Sequence, residues 1–272
     1  MRAKLISAPY TIWMALFIIV PMGLVVFFAF TDRSGAFTLD NILRVGQYSN
    51  VFLRSIWLGA IATAISLLLG YPLAYTISKM KAKRQSVMIM LVMLPMWMNF
   101  LLRTYAWMSL LEDNGLINNM LAAIGLPRVH MINTAGAIVL GMVYNYIPYM
   151  ILPIYSVLTK IDNSVIEAAQ DLGANDRKVF LKVVLPMSMP GVISGITMVF
   201  VPAVSTFIIS KMLGGGGNLL IGDLIDMQFL GSAYNPNLGS AISLVLMVII
   251  LICMGIMNQF DDGENVGGGM IL

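Results

Sequence analysis

The sequence predicts an all-α membrane domain of six transmembrane helices, and three observations predict it. Only 11% of the 272 residues are charged, against about 25% in ordinary soluble domains. Six stretches carry no Asp, Glu, Lys or Arg: residues 5–31, 55–78, 85–102, 131–159, 183–210 and 227–260. A hydrocarbon core of about 30 Å takes roughly 20 apolar residues of helix to cross. The stretches are also continuous, not broken into alternating blocks of about ten residues, which separates helices from the strands of a closed barrel.

The elements follow in order along a single domain, residues 1–272. The first span is predicted over 9–30. Arg2 and Lys4 ahead of it give a brief likeness to a signal peptide, but the apolar run is too long and no small-x-small cleavage site follows Phe28-Ala29-Phe30, so it reads as an uncleaved helix. The 24 residues TDRSGAFTLDNILRVGQYSNVFLR then make a partly helical outer loop. Spans 55–78 and 87–110 flank a short connector that holds Lys79, Lys81, Lys83 and Arg84. A second outer connector, 111–133, contains the turn-forming pieces EDNG and GLPRVH. Span 134–158, the polar segment 160–186, span 187–210 and span 239–258 complete the bundle. The tail from about 261 to 272, DDGENVGGGMIL, is acidic, Gly-rich and expected to be disordered. Pro21, Pro72, Pro95, Pro148, Pro153 and Pro202 fall inside spans, where neighbours or water can satisfy the freed carbonyls.

Charge placement gives the orientation. Ten of the 16 basic residues lie ahead of the first span, in the 79–84 connector or in the 160–186 segment. The excess of Lys and Arg predicts that these parts and both termini face the cytoplasm. Lysines that flank membrane spans are a poor basis for binding nucleic acid. The single cysteine, Cys253, lies within a span and reads as a small core hydrophobe. The 23 methionines read as interchangeable apolar residues or as adaptable packing.

The segment 160–186 stands apart as a charged stretch between two apolar runs. Ser164 and Glu167 have the spacing of a capping box, which predicts a helix starting near Val165. Ile166, Ala169 and Leu172 recur on one face, and Gly173 is placed to end the helix. Asn175 or Asp176 can cap a second short helix with Val179, Phe180 and Val183. From these residues the segment is either a plug for a partner's socket, with small residues allowing close approach, or an amphipathic loop against the headgroups.

Glu167-Ala168-Ala169, three residues, Gly173, nine residues, then Val183-x-Leu185-Pro186 resembles the EAA loop of the permease subunits of ABC importers. Val183 stands where that motif more often has Ile. The resemblance implies a type I permease fold, with Glu167, Ala168, Ala169, Leu172 and Gly173 as positions that dock on an ATP-hydrolysing subunit. It further implies a second permease subunit, two ATP-binding subunits and an extracytoplasmic binding protein, with ATP and Mg held by the ATPase and none in this chain. A bacterial inner-membrane location and a non-enzymatic role follow. In keeping with this, the chain contains no G-x-x-x-x-G-K-[ST]: GGGG at 214–217 is followed by Asn218. No metal-binding residues are predicted.

LPMWMNFLLRTYAW (94–107), AAQDLGA (168–174), LPMSMPGVISG (185–195) and NLLIGDLIDMQFL (218–230) resemble the spermidine/putrescine branch of the family. Related branches carry iron, sulfate or other small solutes, so these remain alternatives, with an ion-coupled secondary transporter as a more distant one. Asp223 and Asp226 would share a side of a helical segment near the outer mouth and, with Glu112 and Asp113, either guide a cation or sit on a solvated loop helix. Trp97, Tyr144 and Tyr146 could supply cation–π contacts along a path or simply pack. Arg103 is expected to snorkel outward beside Tyr105 and Trp107, or to serve a helix end.

Overall fold

The computed structural model describes residue 10 and residues 12–231 and 233–265. Twelve helices run through the described residues: α1 Ile12–Ala29, α2 Asp40–Val45, α3 Ser49–Ser78, α4 Ala82–Trp97, α5 Phe100–Leu111, α6 Leu116–Ala123, α7 Ala135–Leu158, α8 Asn163–Asp171, α9 Asp176–Ser205, α10 Ile208–Leu213, α11 Ile221–Phe229 and α12 Pro236–Asn265. Five of them, α1, α3, α7, α9 and α12, are long and apolar enough to cross a membrane, and the bent run from α4 to α6 makes six if it counts as one span. A bridge between Thr31 and Phe37 is the one β pairing among the described residues.

Prolines shape these helices visibly. Pro21 and Pro186 each follow a π-helical turn, Ala15–Ile19 and Phe180–Val184. A prolyl ring has no N–H to donate and crowds the carbonyl four residues back, and a widened turn accommodates both.

Small residues draw α3, α7 and α9 together at the centre. Gly59 and Gly70 of α3 face Val204 and Met150, and Gly191 of α9 lies against the backbone of Pro153 and Ile154 in α7. Ala62 and Ala74 are fully buried beside them. In lipid no hydrophobic force drives helices together, so close backbone approach and the dispersion it allows must do so. Tyr71 and Ser188 add a 2.8 Å hydrogen bond between α3 and α9. A methyl group on Gly191 would sit 2.9 Å from the Pro153 carbonyl oxygen and 3.1 Å from the Ile154 Cα. Gly191→Ala is therefore expected to cost about 1–3 kcal/mol, read as a lower midpoint of thermal unfolding in detergent.

Burial falls off away from this centre. The most apolar window of α7 is 56% buried within the chain and that of α1 only 6%, while no residue of α4 is buried. At one end, buried asparagines tie the chain: Asn41 and Asn237 both donate to the Thr31 carbonyl, at 2.9 and 2.7 Å.

Three sequence expectations are corrected. The run 87–110 is not one helix: α4 and the run Phe100–Ala123, which begins with α5, meet at 89° across Met98 and Asn99. Asn99 accepts from the Leu101 and Leu102 amides at 2.9 and 3.3 Å and starts a new helix there. The run 187–210 likewise breaks, at Thr206 and Phe207 between α9 and α10. Lastly, α12 continues to Asn265, past the point where disorder is predicted, and residues 266–272 lie outside the described residues.

Candidate functional site

The 160–186 segment folds as a helix–turn–helix, though not with the predicted cap. Asp162 is the N-cap, its carboxylate accepting the Ser164 amide at 2.9 Å. Asp and Ser are comparable N-caps, and here the helix begins two residues earlier, which takes Glu167 out of the reciprocal position. The same amide bond holds the Asp162 carboxyl below its ordinary range. Gly173 does end α8. Its φ is +83°, its amide donates to Gln170, and the Ala174 amide reaches back to Ala169 at 3.0 Å. This paired 6→1 and 5→2 pattern is the Schellman motif, and it needs a left-handed residue that glycine supplies without steric cost. Asn175 then caps α9 by accepting the Lys178 amide at 3.0 Å.

The two faces of α8 differ. Ile166 and Ala169, with Ala174 beyond, pack against a cluster formed by α3, α7 and α9. Glu167, Ala168, Leu172 and Gly173 face outward, and Leu172 is 89% exposed. Ala169 therefore acts between α8 and the bundle, while its neighbour Ala168 is exposed on the outer side one turn from Leu172. At the turn below, Phe180 takes the rings of Tyr71 and Tyr75 edge-on, fixing the segment to α3.

At the α4–α5 elbow, Arg103 does not snorkel outward. It is only 7% exposed, and its guanidinium donates to the Pro95 carbonyl in the last turn of α4. A cation at a helix C-terminus meets carbonyls that lack intrahelical partners. The guanidinium also lies 5.8 Å from the Phe100 ring and 5.9 Å from that of Tyr144, and Trp107 packs edge-on against Tyr144. The expectation of a helix-end role fits this geometry; the expected outward path assumed a straight helix. Trp97, at the elbow itself, is 72% exposed and apart from this group. Tyr146 lies between two core clusters.

Asp223 and Asp226 do share one side of a helix, α11, and both line a cavity of about 130 Å³ with Lys211 and Gly215. Asp223 is buried rather than solvated. Its carboxylate accepts the Leu220 amide at 2.9 Å, and the Lys211 ammonium meets Asp226 at 3.2 Å. Glu112 and Asp113 are elsewhere: Asp113 pairs with His130 at 2.8 Å. Burial pushes the Asp223 carboxyl above its ordinary value of 3.8, against its hydrogen bonds to Leu220 and Ser210. An acid raised in the folded state binds its proton more tightly there than when unfolded, so stability falls as pH rises from 3.8 through the folded value. Asp223→Asn is expected to flatten that slope, measured as the pH dependence of thermal unfolding.

The glycine run 214–217 is a fastening, not a phosphate cradle. Asn218 donates to the Gly214 and Asn133 carbonyls at 2.8 and 3.0 Å, and Arg54 donates to the Gly217 carbonyl at 2.9 Å.

Sequence reasoning missed the elbow, the Lys211 partner and a glutamine at the 79–84 turn. The signal for the elbow was present: Pro95 followed by Asn99 before an apolar run is a stop and an N-cap in succession. The Lys211–Asp226 pair had none, being 15 residues apart across two helices.

Residues 2–263 match the family model described as the binding-protein-dependent transport system inner membrane component. The chain is 38% identical, over 88% of its length and 86% of the relative's, to the spermidine/putrescine transport system permease protein PotB of Haemophilus influenzae. It is 35% identical to the PotB of Escherichia coli, covering 88% of this chain and 90% of that one. Among solved structures, a bacterial ABC transporter involved in the import of the acidic polysaccharide alginate superposes with a TM-score of 0.76 at 22% identity, covering 95% of both chains. The MetNI methionine ABC transporter superposes with 0.59 at 15% identity, covering 78% and 93%.

Proposed function

Because the chain belongs to the family of binding-protein-dependent transport system inner membrane components, we propose that it is the translocating permease of an ATP-driven polyamine importer, with spermidine and putrescine as substrates. The observation that carries the coupling part of this reading is α8: one face packed on the bundle, the other ending in an exposed leucine held at a Schellman turn. A large apolar side chain at the tip of a rigid polar-faced helix is an anchor for a groove in another protein. On this reading Glu167, Ala168, Leu172 and Gly173 meet an ATP-binding subunit that holds ATP and Mg, and Ala169 lets α8 sit close to the bundle. Two such subunits, a second permease and an extracytoplasmic binding protein complete the assembly. The sparsely buried α1 and α4 leave apolar surface for the second permease and for lipid. The basic turns face the cytoplasm together with both termini.

The polyamine assignment is supported by the PotB relatives and by the acid-lined cavity. Asp226 accepts an ammonium from Lys211, and a substrate ammonium is the same chemical group. Tyr144 presents its ring to a cation already, that of Arg103, so a place for Trp97, Tyr144 and Tyr146 on the path rests on aromatic faces alone. The reading is tested by reconstituting the chain with its co-purifying subunits and offering labelled putrescine, spermidine and ferric iron. ATP-dependent uptake of the two amines is expected; uptake of iron alone would replace the polyamine assignment.

A further inference from the structure

A cleft of about 180 Å³ lies at the basic end of the bundle, where α3, α4, α7 and α8 meet. Tyr75, Ser78, Lys79, Gln85, Thr159 and Asn163 supply its polar lining. Lys79 is its only charged residue, and no acidic side chain lines it. The lysine ammonium stands 5.7 Å above the Tyr75 ring.

The cleft is framed by a fixed turn. Gln85 donates to the Ser78 and Met80 carbonyls at 2.9 and 2.8 Å, and accepts the Tyr155 hydroxyl at 3.1 Å. This clasp binds the 79–84 turn to α7. It leaves Lys81, Lys83 and Arg84 exposed beside the opening, and none of the three has an ion-pair partner among the described residues. On the opposite wall Asn163, the first residue of α8, adds a polar side chain to the cleft, while the Asp162 carboxylate is turned to the Ser164 amide as the helix cap.

Depth selects among anions. Ser78 and Leu158 close two of the long apolar helices, so the cleft sits at the level where hydrocarbon gives way to headgroups. Basic pockets between transmembrane helices on that side take up anionic lipid headgroups. We infer that this cleft binds the phosphodiester of an anionic phospholipid, held by Lys79 and the Asn163 side-chain amide and drawn in by Lys81, Lys83 and Arg84. The bound lipid braces α8 against the end of α3. A consequence for energy coupling rests on the docking role proposed for α8; the lipid site does not.

The test uses the full chain in nanodiscs of phosphatidylcholine, with or without phosphatidylglycerol. Native mass spectrometry reads the lipid retained, and hydrogen exchange reads the amides of α8. Preferential retention of phosphatidylglycerol and slower exchange in α8 are expected. Lys79→Gln, on an exposed side chain, is expected to lower that retention about fivefold. Asn163→Asp is the sharper variant. An acid in the first turn favours the helix but repels the headgroup, so the lipid preference should vanish while α8 stays folded. Equal retention of the two lipids overturns the site, as does a preference unchanged in both variants. Displacement of phosphatidylglycerol by millimolar inorganic phosphate overturns the lipid in favour of a soluble anion.

Discussion

A Leu172→Asp variant is expected to lose ATP-dependent uptake by about 30-fold or more while its level in the membrane stays unchanged. Leu172 is 89% exposed and touches nothing that holds the fold, so replacing it should alter stability by no more than about 0.5 kcal/mol. On the proposed docking role, its worth lies in a contact with another chain. An apolar anchor buried at the centre of an interface contributes about 2 kcal/mol or more, which is a factor of about 30 in occupancy, and an aspartate there must also be desolvated. The check pairs uptake in vesicles with co-purification of the ATP-binding subunit. Uptake at the unmodified rate would remove Leu172 from the docking surface. Glu167→Lys tests the neighbouring position: with its carboxylate exposed and not serving as a cap, charge reversal should uncouple transport without unfolding α8.

Arg103→Ala is expected to act through stability instead. It withdraws the guanidinium from the Pro95 carbonyl and from the rings of Phe100 and Tyr144. An uncompensated carbonyl costs about 1–3 kcal/mol and a desolvated cation–π contact about 1–2 kcal/mol. Release of a costly buried charge offsets part of this, leaving a net loss of about 2–4 kcal/mol and a lower unfolding midpoint. The elbow should loosen at the same time. Spin labels at Met90 and Leu102, both on exposed positions either side of the bend, are expected to show a broader distance distribution in the variant. A sharp, unshifted distribution would mean that Asn99 holds the bend alone. Lysine should rescue poorly, because a compact ammonium lacks the planar fork that serves carbonyl and ring together.

The helical class was legible because charge is so costly in hydrocarbon that its absence alone outlines the long helices. Gly173 was legible for a similar reason: few residues other than glycine adopt a φ of +83°. The elbow was written only in its stop and cap, Pro95 and Asn99, and hydropathy hides it by running on through Met98 and Asn99 although the backbone does not. Only on a straight helix would Arg103 have had an outward path beside Tyr105 and Trp107. At the start of α8 two adequate caps, Asp162 and Ser164, lay two residues apart, and only the backbone path chose between them. Clasps such as Gln85 with Tyr155, 70 positions distant, and Lys211 with Asp226 exist only once the helices are assembled. The acids of α11 were found by spacing, but their burial was not, because exposure depends on what α10 and α3 bring over them. Ile221, for instance, donates its amide to Ser55 of α3 at 2.8 Å.

The glycine-lined seam between α7 and α9 has a mechanical corollary. Where backbones touch with no side chains between them, nothing soft remains to absorb a shove, and packed interiors are nearly incompressible. On the proposed docking role, force delivered at the Schellman turn would be passed along as movement of the helix trio as one body. The yielding parts of the molecule are the two places where a long apolar run has been cut, at Met98–Asn99 and at Thr206–Phe207, and those are the joints at which a change of shape would be seen first.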